Sequence, residues 1–184
     1  MNLQKFGIKF YLKEKENYSS RDFIPIFHRW IQGKLIPDHL LIDVADYSHV
    51  KDGPGIMLIA HEGHFSLDQE NNKPGMMYMR RVECSGNFHE RFDKVFFVAL
   101  HAANQLHDDK EIDFYQNIFR FISNDRRLAN NTKENQDLFQ KEIHRILKSN
   151  FPNDKWNFSE VSKENERLGF TVNFSSDVNM LSNK

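Results

Sequence analysis

Six ionisable side chains between Leu40 and Arg81 stand inside runs that otherwise read as β-strand. They are Asp43, Asp46, His49, His61, Glu62 and His64, at positions where a plain sheet prefers Val, Ile or Thr. An imidazole oriented by a carboxylate is a usable general base or metal ligand. Asp43, Asp46, His61, Glu62 and His64 are therefore the candidate ligand-binding residues, and His61 with His64 the candidate metal pair. Cys84 follows a strand-like run with Arg80 and Arg81 close by, and two guanidinium groups there would favour a thiolate.

Spacing limits this chemistry. His61-Glu62-Gly63-His64 is one residue short of His-Glu-x-x-His, the metalloprotease arrangement in which both imidazoles share a helix face. Its flanks, IMLIA and FSL, read as strand, which sends His61 and His64 to opposite faces unless Gly63 forms a bulge. The Asp52-Gly53-Pro54-Gly55 turn lacks the Lys-Ser/Thr of a phosphate loop and precedes a strand, so it reads as a tight turn. No Gly-rich dinucleotide fingerprint, nucleophile elbow or EF-hand loop is present.

The elements that must position these groups are a strand on each side of that turn. Setting Asp52 opposite Gly55 places Asp46 against His61 and Asp43 against His64. A shifted register places Asp43 against Glu62, where two carboxylates repel. The first register is expected. It puts Ile42, Val44, Met57, Ile59 and Phe65 around the Asp46–His61 pair, and Asp43, Glu62 and His64 on the other face with Leu41, Ala45 and Leu58. Either one of these faces lines a cleft, or each imidazole is merely satisfied by its cross-strand carboxylate.

Upstream, Ile8, Phe10 and Leu12 alternate with Lys9 and Tyr11 as a half-buried strand. Phe23, Ile26, Phe27, Trp30 and Ile31 follow at helical spacing, with Pro25 in the first turn and Gly33 as the stop. A further strand is expected over 76–82. Asn87 with Glu90 marks the start of a helix over 87–107 whose middle, VFFVAL, is apolar nearly all round, so burial between layers is expected. Asp108 to Lys110 should break it, and His101 is its one histidine placed to approach the sheet. A strand to Ser123 comes next, then a helix capped by Thr132 with Leu138, Ile143, Ile146 and Leu147 inward. Strands around Trp156–Phe158 and Phe170–Phe174 follow, and a frayed tail from Asp177.

The order strand, helix, strand, strand occurs twice, starting near Ile8, Arg21, Leu41 and Ile56 and again near Ile118, Lys133, Lys155 and Gly169, at offsets of 110 to 114 residues. The expected architecture is one α+β domain over residues 1–184, with an antiparallel or mixed sheet and helices on one face. Two halves, 6–82 and 112–176, would be related by duplication and joined by the buried helix.

Composition bounds the function. The 25 basic and 26 acidic residues leave a net charge of −1 with no basic stripe, against nucleic-acid binding. One cysteine excludes an intrachain disulfide and a thiolate zinc cluster. No apolar run approaches the ~20 residues of a membrane span, and the first residues carry no signal-peptide pattern. A cytoplasmic location is expected. The 17 Phe are spread over every periodic segment, which makes them core rather than site.

The segment LLIDVADYSHV-KDGPG-IMLIAHEGHFSLD, with NDRRLANNT at 124–132, resembles a set of uncharacterised bacterial proteins. That resemblance carries no activity and no functional residue with it. At fold level the doubled order is similar to the haem- and drug-binding SOUL and gyrase-inhibitor-like proteins. It is also similar to the metal-dependent vicinal-oxygen-chelate enzymes, which hold ligands on facing strands of both halves; the second half here has no strand histidine. Three functions follow as expectations: a small-molecule-binding domain, first, for a polar or cationic ligand; a metal-assisted or general-base hydrolase or lyase; and a homodimeric interaction protein. No cofactor is implied.

Overall fold

The computed structural model describes residues 1–13, 19–51, 53–110, 112–163 and 165–175. The tail from Asp177 lies outside the described residues, as does Asp52, on which the expected register was built. The chain is α+β, as expected. Eight strands form one sheet in which every neighbouring pair is antiparallel. In chain order they are β1 (Phe6–Leu12), β2 (Leu41–Tyr47), β3 (Gly55–Ala60), β4 (Gly63–Asp68), β5 (Gly75–Arg80), β6 (Phe114–Ser123), β7 (Trp156–Ser159) and β8 (Gly169–Phe174). The helices are α1 (Phe23–Gly33), α2 (Phe88–Lys110) and α3 (Lys133–Asn150). Across the sheet the order is β2-β3-β4-β5-β1-β6-β8-β7.

The helices cover one face. Phe10, Phe119 and Phe121 point into it and meet Phe96 and Phe92 of α2 and Phe139 of α3. On α1, Phe23, Ile26, Phe27 and Trp30 are buried as their spacing requires. The helix ends at Gly33, but the left-handed residue that turns the chain is Lys34, with φ 51°. Asn87 and Glu90 exchange backbone and side-chain hydrogen bonds at 3.1 and 2.6 Å, the reciprocal cap expected of them.

Several expectations are corrected. The run from Ile56 to Asp68 is two strands, β3 and β4, reversed through His61 and Glu62. Gly63 begins β4 where there is no room for a side chain: a Cβ there would lie 2.6 Å from both the Met79 carbonyl oxygen and the Tyr78 ring. A residue without a side chain lets β4 close against β5 at that point. α2 continues through Asp108 and Asp109 to Lys110, and it is not buried all round, because Phe97 is 48% exposed. On α3 the inward residue is Phe139, while Leu138 is exposed.

β1 sits near the centre of the sheet, between β5 and β6, and all seven of its residues are buried, Lys9 included. The spacing match pairs the strand at Leu41 with that at Lys155, and Ile56 with Gly169. In the sheet, however, the places beside β1 and β6 are taken by β5 and β8, and the next places by β4 and β7. β2 and β3 lie beyond them, with Leu40 and Ile42 exposed along the outermost edge. Among the described residues no helix is long and apolar enough to cross a membrane.

Candidate functional site

The structure scatters the five candidate residues. β2 pairs with β3 so that Asp46 lies opposite Ile56 and Asp43 opposite Ile59, not opposite His61 and His64. A register irregularity at Ile42 and the β3–β4 reversal together remove both imidazoles from the hairpin that was to hold them. Asp43 is exposed and accepts the Val44 N–H at 2.8 Å. Asp46 is exposed, caps Ser48 and meets Arg21 at 3.3 Å; the Ser48 hydrogen bonds hold its carboxyl below the usual value. His61 stands exposed on the turn.

His64 points to the face without helices, opposite Ile59 and Met79, and its buried Nδ1 has no hydrogen-bond partner among the described residues. Burial and the Arg81 cation push its pKa down. Among the described residues no three His, Cys, Asp or Glu are placed to hold a metal ion, so the His61–His64 pair is not assembled as a metal site.

Glu62 reaches a concave site. It borders a cleft of about 600 Å³ between the 36–39 segment, the end of β5 and the exposed side of α2. Ile36, Phe97 and Val98 supply an apolar wall; His39, Arg80 and His101 supply polar groups. The Glu62 carboxylate accepts the Leu40 N–H at 2.8 Å. Burial pushes its pKa up, but that hydrogen bond, a second amide and the neighbouring imidazoles outweigh it and hold the group below its ordinary value.

Beside Glu62 runs a directed chain of hydrogen bonds. His39 Nδ1 lies 2.8 Å from the Pro37 carbonyl, which can only accept, so Nδ1 carries the proton. Burial lowers the His39 pKa and favours the neutral ring. Its Nε2 then accepts from the Tyr78 hydroxyl at 2.8 Å, and the Tyr78 oxygen accepts from Arg80 at 3.4 Å. His39 is held edge-on between Phe65 and Tyr78, with ring centroids at 5.5 and 5.3 Å. The partners of Arg80 among the described residues are that phenol and the carbonyls of Val82 and Glu83, none of them an anion. His101 Nε2 donates to the Leu35 carbonyl, 3.0 Å away, rather than approaching the sheet. Cys84 lines the same cleft as a free thiol.

His39, Tyr78 and Phe97 were not legible as site residues. The signal that could have found His39 is its place two residues after Pro37, in a connector where a histidine has no periodic role.

Tyr78 gives the cleft a pH signature. Burial raises its pKa from 10.0 to about 12. The folded protein therefore holds this proton more tightly than the unfolded chain, so the contribution is complete below pH 10 and is lost as pH rises towards 12. At ~1.4 kcal/mol per unit, about 2–3 kcal/mol of stability disappears across that window. In Tyr78→Phe, chemical denaturation at stepped alkaline pH should show a correspondingly shallower loss than in the wild type. Equal slopes in both proteins would show that the phenol does not carry it.

Compared with known proteins, the chain matches no protein-family model and no curated protein.

Proposed function

We propose that the protein binds a small molecule in the cleft beside Glu62. The observation that carries this reading is the cleft's combination of an exposed aromatic and aliphatic wall with polar groups already fixed in direction. Small-molecule sites are concave, mostly apolar, and set with a few convergent polar groups, at volumes of about 300–1,000 Å³. Asp38, Glu62 and Asp93 outnumber the permanent cations Arg80 and Lys94 in the lining. That balance supports a polar or cationic ligand with one apolar face, its amine or hydroxyl on Glu62 and its apolar face on Phe97.

The metal-assisted or general-base alternative has less support: it relied on His61, Glu62 and His64 with Asp43 or Asp46, and of these only Glu62 lines this cleft. His39 spends one ring nitrogen on a carbonyl and the other on a phenol, which leaves neither to take a substrate proton. The mirrored strand order also supports, as a proposal, an origin by duplication in which β4–β5 correspond to β7–β8 and the β2–β3 hairpin is an addition.

The test is a thermal-shift screen of small aromatic amines and alcohols at millimolar concentration. A ligand at a hundred times its Kd stabilises by about 2.7 kcal/mol. The stabilisation should shrink in Phe97→Ala and in Glu62→Gln, both of which change exposed or half-buried side chains and leave the core alone. No stabiliser for the wild type, or hits indifferent to both substitutions, would sink the reading.

A further inference from the structure

The sheet face without helices carries a second, separate cavity system. A row of side chains crosses that face through paired positions: Ser66, Met77, Lys9, Arg120, Thr171 and Ser159. At its centre Lys9 of β1 stands directly opposite Arg120 of β6. Two cations placed opposite each other destabilise a sheet, so this pairing is not there for the sheet's own sake. Among the described residues only one of them meets a carboxylate directly. Lys9, 1% exposed, is paired with Asp68. Arg120 has neutral partners among the described residues, the Glu160 carbonyl at 3.0 Å and the Ser162 hydroxyl at 2.8 Å, and its buried Nε has none.

One cavity opens over this pair and a second adjoins it. The polar one, about 240 Å³, is lined by the cations Lys9, Lys73, Arg120 and Lys163 against the carboxylates Glu70, Glu160 and Glu166, a balance of one positive charge. The other, about 370 Å³, is walled by Tyr11, Leu12, Pro74, Tyr115 and Ile118. Tyr11, Lys73 and Glu160 border both. Lys73 and Glu160 meet as an ion pair across that shared border. Glu160 is itself in the left-handed region, with φ 47°, a strained conformation for a residue with a side chain. Its carboxylate accepts from the Thr171 hydroxyl at 3.0 Å, so Thr171 oxygen is left to accept from Tyr11, 3.3 Å away. That commits the Glu160 carboxylate oxygens to Lys73 and Thr171, so Arg120, although it feels the Glu160 charge, makes no direct ion pair with a described carboxylate.

We infer that this face binds a small amphipathic anion. Its carboxylate or phosphate lies over Lys9 and Arg120, and its apolar or aromatic body lies in the cavity walled by Tyr11, Tyr115 and Ile118. An anion there supplies Arg120 with the charged acceptor it lacks and relieves the repulsion between the facing cations. Both ligand classes share the anionic oxygen, and the body cavity selects against ions without an apolar part.

The experiment titrates the whole chain with 3-phenylpropionate, phenyl phosphate, 3-phenylpropanol and inorganic phosphate, by calorimetry and by amide NMR shifts. At least one of the two aromatic anions should bind, with shifts at Tyr11, Arg120 and Thr171, while the alcohol and inorganic phosphate bind at least about tenfold more weakly. Arg120→Gln should weaken the bound anion roughly tenfold, the size of one charge-assisted hydrogen bond. Binding of phenyl phosphate alone identifies phosphate monoesters, and of 3-phenylpropionate alone, carboxylic acids. The inference is overturned if neither anion binds at millimolar concentration, if the alcohol binds as well, or if a folded Arg120→Gln binds undiminished. Shifts confined to the Glu62 cleft overturn it as well, and the wild-type shift map decides this even where Arg120→Gln does not fold.

Discussion

Replacing Phe119 with alanine should lower the unfolding free energy by about 3–5 kcal/mol. Phe119 is fully buried in β6, opposite Phe10 and Val172. Its ring centroid lies 5.2 Å from that of Phe96, 6.3 Å from those of Phe10 and Phe92, and 6.4 Å from that of Phe174. Four partners on three different elements mean that no single side chain can move in to fill the space. The loss therefore combines apolar burial with edge and tilted ring contacts, which add about 0.5–1.5 kcal/mol per pair. Phe97→Ala is the matched control, since Phe97 is half exposed, and its cost should fall within about 0.5 kcal/mol of zero. Denaturant titration measures both, with the midpoint moving for Phe119→Ala and the slope unchanged. A Phe119→Ala midpoint no lower than that of Phe97→Ala would contradict the ring cluster as the centre of the core.

Asp68→Asn should cost a similar amount, about 3–5 kcal/mol near neutral pH. The substitution keeps an oxygen to accept the Glu70 N–H, 3.2 Å away. It removes the only carboxylate that meets Lys9 among the described residues, and leaves a buried ammonium facing Arg120. The pH dependence identifies the cause. Burial already lowers the Lys9 pKa from 10.5, with Asp68 opposing the shift. Without Asp68 the folded value falls further, so the folded state binds fewer protons than the unfolded chain in the window below 10.5, and stability there rises with pH. The penalty of Asp68→Asn should thus shrink between neutral pH and pH 10. Adding Lys9→Met to Asp68→Asn should recover most of the loss, because no buried charge then remains unpaired. A penalty constant with pH, and unrelieved by Lys9→Met, would locate the effect in the Asp68 hydrogen bond rather than in charge.

The sequence made the helices readable because their apolar residues repeat with the helix turn. Phe23, Ile26, Phe27 and Trp30 have no other arrangement that buries them together. Asn87 and Glu90 were equally plain, since a cap is a local device three residues long. Leu138 and Phe139 show the limit: adjacent apolar residues give two stripes about 100° apart, and it is packing against Phe88 and Phe121 that selects Phe139.

The site was much less legible. Acid and imidazole types between Asp43 and His64 were visible, but what they face depends on register and on a reversal at His61 and Glu62 that turns one apparent strand into two. Lys9 looked like the solvent side of an amphipathic strand. Its burial follows from β6 on one side and β5 on the other, neither of which is a sequence neighbour. Pairings between distant strands, such as Lys9 with Arg120, leave no periodic trace in either segment.

The central position of β1 has a consequence for synthesis on the ribosome. Every residue from Phe6 to Leu12 is buried, yet Ile8 must wait for Phe121 to emerge before its second flank is covered. Until then the nascent amino-terminal half exposes a long, water-averse strand border, a template for joining other chains. Slowing translation before residue 114, or trapping chains truncated there, would place the molecule at its greatest risk of coaggregation, and that vulnerable interval closes only when the later strand docks.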